Sequence, residues 1–273
     1  MKHWTLDDIP WTRFEADKVD AQILHVMKAV SLVEHNGEDY ATYLCNVFHD
    51  DPAFQDEARA WAAEEVQHGR ALGRWAALAD PSFDFDTAFA RFVAGFRPDV
   101  EAEASIRGSR SGELVARCIV EVGTSSYYAA MSEACREPVL KEICKRIAAD
   151  ELRHYRMFYK ALKRYLGRER IGRLRRVLVA LGRIRETEDD ELAYAHFAAN
   201  AAEDEAYDRR RASDLMHGIA FRHYRPKHVK RVVTMTLKAA GLNPQAAWVS
   251  WVSRLAYLLI RRRGARAAPA LAA

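Results

Sequence analysis

Hydrophobic positions recur every three or four residues along most of the first 166 residues, which is the period of amphipathic helices. Residues 17–49 predict one long helix. The inward face of this helix carries Ile23, Val30, Gly37, Ala41 and Leu44. Few runs alternate with period two, so we expect no sheet.

Turn signals divide this part of the chain into four long helices. Asp51 and Pro52 supply an N-cap and a first-turn proline for a second helix over residues 53–78. A polar stretch with prolines follows, and it predicts a crossover with a short helix. Pro138 separates a third helix over residues 112–135 from a fourth over residues 139–166. The expected all-α fold is a four-helix bundle of two antiparallel hairpins.

Beyond residue 166 the pattern predicts three or four additional helices. Breaks are expected near residues 186–190, 225–226 and 241–244, and residues 191–211 predict one amphipathic helix that ends in three arginines. We therefore predict two parts. Residues 1–166 form the four-helix bundle, and residues 167–273 form a basic helical extension that packs on it.

Charge is distributed unevenly between these two parts. Residues 1–160 contain 19 Lys or Arg and 27 Asp or Glu, whereas residues 161–273 contain 23 and 11. The basic surface suits an acidic partner, such as a carrier protein or a ferredoxin-type electron donor, and the alternative is a solvated surface without a partner. We expect no nucleic-acid partner, because the basic residues are scattered and no binding motif is present.

The last predicted helix, PQAAWVSWVSRLAYLLIRRR, combines two tryptophans and an apolar body with a basic end. This composition suits peripheral contact with a membrane surface. It suits equally a helix that packs on the bundle and places arginines at its C-terminus, where they complement the helix dipole.

One short motif occurs twice. The stretch AAEEVQHGR (62–70) returns as AADELRHYR (148–156), once in the second helix of each hairpin. Residues three apart share one face of a helix, so Glu65 points the same way as His68, and Glu151 the same way as His154. A carboxylate and an imidazole presented twice are typical of half of a four-helix di-metal site.

The other half of such a site needs one glutamate from each remaining helix. Facing residues of a hairpin are equidistant from its turn, and each Glu-x-x-His pair lies about fifteen residues past its turn. The mirrored positions hold Glu34 and Glu121, both among apolar neighbours. Glu38 competes with Glu34, and a lone Glu-x-x-His usually marks a solvated face. Two irons are the expected metals, and the same ligands suit a Mn/Fe cluster.

The motifs resemble a known family. AWAAEEVQHGRAL, ICKRIAADELRH, LVEHNGEDYATYL and CIVEVGT are similar to the ferritin-like di-iron carboxylate superfamily, and most similar to the soluble acyl-ACP (acyl carrier protein) desaturases, over roughly residues 25–165. The resemblance implies a ferritin-like bundle and favours Glu34 over Glu38 as the ligand. It also implies that Thr124 lies on the oxygen-binding side of the cluster and acts in catalysis. The alternative is a helix threonine whose hydroxyl bonds its own backbone.

The resemblance implies a non-haem di-iron oxidoreductase that activates O2. It would oxidise a hydrophobic substrate, such as an acyl chain, in a desaturase-like or hydroxylase-like reaction, with electrons from an external donor such as a ferredoxin. The substrate would be a small molecule or would be bound to a carrier, and the protein could form a homodimer. Alternatives are a ferroxidase or iron-binding ferritin-like protein without an organic substrate, and a di-metal scaffold without turnover.

Three polar residues beside the ligands are candidates for supporting roles. Asp150 and Glu64 directly precede ligand glutamates, and either acid can hold the free nitrogen of a ligand histidine. Arg153 can pair with such an acid. The alternative is that these are surface residues. Tyr128 and Trp4 are expected to serve in packing or in a channel wall.

Three observations predict a cytoplasmic protein. The four cysteines (Cys45, Cys118, Cys135 and Cys144) form no CxxC pair, so they are expected to be buried thiols in a reducing compartment. The N-terminal segment lacks the apolar core of a signal peptide. No apolar run approaches the roughly 20 residues of a membrane span.

Overall fold

The computed structural model describes residues 3–186, 190–202 and 204–266, and its regular structure in these residues is entirely helical. The α-helices are α1 (Ala21–His35), α2 (Gly37–Val47), α3 (Pro52–Ala79), α4 (Phe85–Gly95), α5 (Arg110–Ala134), α6 (Pro138–Glu169), α7 (Arg173–Glu186), α8 (Asp190–Asn200), α9 (Arg209–Arg222), α10 (Pro226–Ala239) and α11 (Trp248–Arg266). Three short 3-10 turns precede α1. The all-α prediction is confirmed. Residues 187–189 of a predicted break and residues 267–273 of the predicted extension lie outside the described residues.

The first six helices form the predicted bundle. Helices α1 and α2 pack against α3 as one hairpin, α5 packs along α6 as the other, and α4 lies in the crossover. The side chain of Asp51 caps α3, and that of Glu137 caps α6; each residue precedes a proline at the helix start. Sequence signals therefore placed both hairpin turns correctly.

The prediction of one helix over residues 17–49 was wrong at two points. The helix begins at Ala21, because the side chain of Asp20 accepts hydrogen bonds from the first-turn N–H groups. It is then interrupted at Asn36, which has φ −81° and ψ 13°. The interruption precedes Gly37, where an added Cβ would lie 2.7 Å from the Cβ of Glu65. Close approach of α2 to α3 therefore depends on a residue that is also a poor helix former.

The second correction concerns residues 191–211, which form two helices rather than one. Helix α8 ends at Asn200, whose side-chain Nδ2 donates to the backbone oxygen of His25 in α1. Helix α9 begins after Asp208, whose side chain accepts from the backbone N–H of Arg211. A side chain anchored on α1 ends one helix and an N-cap starts the next, so tertiary contact and capping override the continuous amphipathic pattern.

The helices after α6 cover the bundle on several sides. Helix α7 packs on α5, α8 on α1 and α4, α9 on α8, α10 on α5, and α11 on α9 and α10. In the described residues there are thus more helices beyond residue 166 than the three or four expected. The division into two parts at residue 166 stays a prediction. Among the described residues, every helix is too short or too polar to span a bilayer.

Two apolar cores fill the bundle, one toward each end. One core includes Met27, Leu72, Met131 and Leu140. The other includes Leu44, Phe54, Leu114 and Phe158. The predicted metal ligands on α1, α3, α5 and α6 lie between these two cores. The polar layer is therefore enclosed by hydrocarbon above and below, which limits the access of water.

Glu137 joins the two hairpins at one end of the bundle and is fully buried. Its carboxylate accepts from the backbone N–H groups of Val139 and Leu140 and from the indole Nε1–H of Trp75 at 2.7 Å. We expect Glu137→Ala to lower the free energy of unfolding by about 2 kcal/mol, because it removes the cap and leaves a buried indole N–H unpaired. Urea denaturation measures this change.

A matched control for this prediction is Glu142→Ala on the same helix. Glu142 pairs with Arg146 and Lys145, and its side chain is 30% exposed. Removing such an ion pair changes stability by less than about 1 kcal/mol. Equal losses in the two variants would contradict a special role for Glu137.

Candidate metal centre

The structure brings all six predicted ligands into one layer of the bundle. They come from four helices, and none is more than 8% exposed. The six are Glu34 (α1), Glu65 and His68 (α3), Glu121 (α5), and Glu151 and His154 (α6). Glu38, the competitor of Glu34, lies on the exposed side of α2. Helical spacing and distance from the turn identified the residues that meet, and the resemblance to a known family decided between Glu34 and Glu38.

The six side chains form two overlapping groups. Glu34, Glu65, His68 and Glu151 make one group, and Glu65, Glu121, Glu151 and His154 make the other. Within each group one ligand atom per residue lies within 4.8 Å of the others. Glu65 and Glu151 belong to both groups, so each group offers three carboxylates and one imidazole, with two carboxylates shared. This is the arrangement that a carboxylate-bridged pair of cations requires.

Both imidazoles present the same nitrogen to the carboxylates. Nδ1 of His68 lies 3.4 Å from an oxygen of Glu34 and 3.4 Å from one of Glu151. Nδ1 of His154 lies 3.0 Å from an oxygen of Glu65 and 3.4 Å from one of Glu121. The two Nε2 atoms point out of the layer, where they are available to other partners.

Each outward nitrogen meets an acid from the opposite hairpin. Nε2 of His68 lies 3.1 Å from Oδ2 of Asp150, and Nε2 of His154 lies 3.0 Å from Oε2 of Glu64. Each acid therefore supports the histidine of the other copy of the motif. An acid at Nε2 holds the proton there and leaves Nδ1 free to act as a ligand, which fixes the tautomer.

Arg153 connects the two supporting acids. Its Nη2 lies 2.7 Å from Oε2 of Glu64, and its Nη1 donates to Oδ1 of Asp150. One guanidinium thus balances two carboxylates and ties α3 to α6 beside the ligand layer. The positions expected for Asp150, Glu64 and Arg153 from the sequence agree with this arrangement, although the sequence could not pair them.

Two residues beside the layer were missed as site residues. The indole Nε1–H of Trp4 donates to Asp150 at 2.6 Å, and its ring stacks on the His68 ring with centroids 6.0 Å apart. The hydroxyl of Tyr128 donates to Glu34 at 2.6 Å. The spacing of Tyr128, seven residues after Glu121 on the same helix, was a usable signal. No local pattern indicated Trp4, because its partner is 146 positions away.

Thr124 lies against one of the shared carboxylates. Its Oγ1 is 2.5 Å from Oε2 of Glu151, and it also lies within hydrogen-bond distance of the backbone oxygens of Val120 and Glu121. The hydroxyl therefore holds one oxygen of Glu151, while the other oxygen, Oε1, faces the imidazoles.

Burial and crowding dominate the electrostatics of the layer. Burial, together with the charge of Glu65, raises the pKa of Glu34 to about 8, and the same two causes raise that of Glu151 to about 7. Burial and Glu151 raise the pKa of Glu121 well above its ordinary value. Burial alone would lower the pKa of His68, but Asp150 and the surrounding carboxylates raise it. The buried carboxylates of the layer therefore repel one another, and positive charge placed among them would stabilise their ionised forms.

Buried atoms without a partner face the centre of this layer. Among the described residues, Nδ1 of His68, Nδ1 of His154, Oε2 of Glu121 and Oε1 of Glu151 have no hydrogen-bond partner. A buried polar atom left unpaired costs roughly 1–3 kcal/mol, so four such atoms within the two ligand groups need compensation. Carboxylate oxygens with imidazole nitrogens suit Fe or Mn, and divalent cations here would satisfy all four atoms.

The layer is less enclosed on the side of Thr124. Val120, Gly123, Thr124 and Tyr127 form one stripe of α5 and are only half-buried. A Cβ added to Gly123 would meet no atom of another element within 4 Å. In the part of the chain that the structure describes, the Tyr127 hydroxyl has no hydrogen-bond partner. Open space therefore lies next to the residue that contacts Glu151.

A second space lies beside the break between α1 and α2. This cavity has a volume of about 440 Å³, and it is lined by His35, Asn36, Glu38, Asp39, Val66, Arg70, Phe89, Val93 and Arg97. The buried amide Nδ2 of Asn36 has no hydrogen-bond partner among the described residues. The lining is mostly polar, and it includes the two residues that follow Glu34.

Comparison with known proteins agrees with this arrangement. A family model described as fatty acid desaturase matches residues 12–240, which include every ligand and most of the additional helices. No match was found among curated proteins. The buried Glu and His residues of α1, α3, α5 and α6 all lie within the matched region. The chain therefore belongs to the fatty acid desaturase family.

Proposed function

We propose that this protein is a di-iron oxidoreductase that uses O2 to desaturate or hydroxylate a fatty acyl chain. The observation that carries the proposal is the pair of buried ligand groups that share Glu65 and Glu151, in a chain of the fatty acid desaturase family. An acyl chain bound to a carrier protein is the proposed substrate, since the motifs resemble those of acyl-ACP desaturases and the C-terminal helices are basic.

The protein residues would have separate tasks. Glu65 and Glu151 would bridge the two metal positions, and Glu34, Glu121 and the two histidines would complete them. Iron held there would supply the redox chemistry, in which the reduction of O2 is coupled to the oxidation of an unactivated C–H bond. Asp150 and Glu64 keep the proton of each imidazole on Nε2. The two apolar cores keep bulk water from the layer.

The proposed reaction requires reductant as well as O2. Desaturation removes two hydrogen atoms from adjacent carbons of the acyl chain. Together with two electrons and two protons from outside, these reduce one O2 to two waters. A one-electron carrier of the ferredoxin class, used twice, is the proposed donor.

The first experiment is metal loading followed by turnover. The chain is reconstituted anaerobically with Fe²⁺, and bound iron per chain is measured. O2 consumption is then followed with a reductant, with and without an acyl carrier-bound fatty acid, and the product is analysed by mass spectrometry. Acyl-dependent O2 consumption with loss of two hydrogens or gain of one oxygen supports the proposal. Bound iron with a rate of O2 consumption that is the same with and without the acyl substrate contradicts it.

The open space beside Thr124 gives a sharper test of substrate access. We expect Gly123→Leu to retain iron but to lower kcat/KM for the acyl substrate by about tenfold or more, because the added side chain extends into the open space beside Thr124, and no ligand atom lies within 4 Å of the Cβ position. Gly123→Ala adds one methyl group to the same open space and should retain most activity. Equal activity of Gly123→Leu and the parent would place the substrate elsewhere.

One observation favours a second candidate, a ferroxidase without an organic substrate. The cavity beside Asn36 is lined by Glu38 and Asp39 and borders the residues that follow Glu34. Arg70 and Arg97 balance the two acids of the lining, and a polar cavity of this kind suits the passage of a hydrated ion better than that of an alkyl chain. Rapid oxidation of several Fe²⁺ equivalents per chain, slowed by Glu38→Gln with Asp39→Asn and unaffected by Gly123→Leu, would support this candidate.

A further inference from the structure

Helix α11 has two apolar faces. One face buries Val249 and Ser253, which are 3% and 5% exposed, where the helix packs on α9 and α10. The other face exposes Trp251 at 72%, Leu255 at 60% and Leu259 at 55%. A helix that only packs on a protein normally turns polar residues outward. The outward apolar face of α11 therefore needs a partner.

Helix α7 shows the same arrangement. Leu174, Leu178 and Leu181 follow one face of the helix and are 74%, 59% and 57% exposed, whereas Ala180 is buried on the opposite side. Helices α7 and α11 both contact α10. We refer to the outward faces of α7, α10 and α11 together as the α7–α11 surface.

The α7–α11 surface is strongly basic. Among the described side chains, helices α7, α10 and α11 expose three, four and four Lys or Arg residues, and the one acid of these helices, Glu186, pairs with Arg107. On α11, Arg254 lies 5.9 Å from the ring centroid of the exposed Trp251, and Arg261 is exposed at the basic end of the helix. Exposed hydrocarbon and positive charge are therefore interleaved on the same helices.

The combination of exposed hydrocarbon and positive charge favours one class of partner over the others. A second copy of the chain in a two-fold dimer would place the same basic patch against itself, which like charges disfavour. An acidic protein would balance the charge but would not by itself require several exposed Leu and Trp side chains. An anionic bilayer accounts for both features, since aromatic and aliphatic side chains enter the interface and Lys or Arg contact phosphate groups.

We propose that the α7–α11 surface docks the protein on the surface of a bilayer containing anionic phospholipid. Helix α11 lies along the interface, with Trp251 and Leu255 among the acyl chains and Arg254 at the level of the phosphates. The docking is peripheral. It involves none of the metal ligands, so it can be tested separately from the proposed oxidation.

The test is sedimentation of the full-length, metal-loaded protein with vesicles. Vesicles of phosphatidylglycerol and phosphatidylcholine are compared with vesicles of phosphatidylcholine alone. We expect binding to the anionic vesicles that weakens with salt, together with a blue shift of tryptophan emission. Trp251→Glu with Leu255→Glu should weaken this binding by about tenfold or more, because both side chains leave the interface. Lys230→Glu and Arg231→Glu on α10 should reduce it mainly at low salt.

A matched control separates docking from general loss of structure. Leu78→Glu introduces a negative charge at an exposed leucine of α3, outside the α7–α11 surface, and should leave binding unchanged. Iron content and helical circular dichroism should be those of the parent in all variants. Absence of binding to anionic vesicles overturns the proposal. So does binding that the α11 variants leave intact, or a dimer in solution that the same variants dissociate.

Discussion

Replacing either shared glutamate with alanine is expected to abolish metal binding at both positions. Among the described residues, only Glu65 and Glu151 occur in both ligand groups, so each substitution would remove a ligand from both of the proposed metal positions. Glu34→Ala and Glu121→Ala each affect one group. Iron analysis should give about two per chain for the parent, near zero for the bridge variants, and intermediate values for the other two.

Loss of metal in these variants should not reflect loss of the fold. Glu151 is 2% exposed and close to other carboxylates, so removing it from the metal-free chain relieves desolvation and repulsion. The metal-free variant is expected to unfold at the same temperature as the metal-free parent or at a higher one. Glu142→Ala, on the exposed side of α6, is the control and should bind iron normally. Full iron occupancy in Glu151→Ala would contradict the assignment of the bridge.

Gly69→Ala is expected to have the largest effect among substitutions that leave every ligand in place. A Cβ at this position would lie 2.5 Å from the backbone nitrogen of His35 and 2.7 Å from its Cα. Helices α1 and α3 would have to separate, which we expect to lower the free energy of unfolding by about 3 kcal/mol. The same movement takes Glu34 away from His68, so iron affinity should fall as well. Urea denaturation and iron titration measure the two effects.

Gly123→Ala is the matched control for this substitution. It also places alanine within a bundle helix, but the new Cβ meets no atom of another element within 4 Å. Alanine is favoured over glycine in a helix by roughly 1 kcal/mol, so this variant should be slightly more stable than the parent. If Gly69→Ala were as stable as Gly123→Ala, the close contact between α1 and α3 would not constrain the site.

The ligand set could be predicted because it depends on local rules. A helix repeats every 3.6 residues, so Glu-x-x-His places both groups on one face. An antiparallel hairpin pairs residues at equal distances from its turn. The capping residues Asp51 and Glu137, each followed by a proline, marked the two turns. These rules gave Glu121, and Glu34 with Glu38 as a competitor, without knowledge of how the hairpins pack, and the family resemblance favoured Glu34. The helix ends were less predictable, because the break at Asn36 and the end of α8 at Asn200 depend on contacts with other helices.

The sequence by itself thus determined the all-α bundle and the residues that meet in its polar layer. Only the tertiary structure decided that Asp150 supports His68 and Glu64 supports His154, and that Trp4 joins this network. The physical reason is that these bonds connect residues from separate hairpins, and their formation depends on the relative rotation of whole helices. The exposure of one face of α11 has the same origin. An amphipathic pattern shows which residues share a face, and packing decides which face is covered.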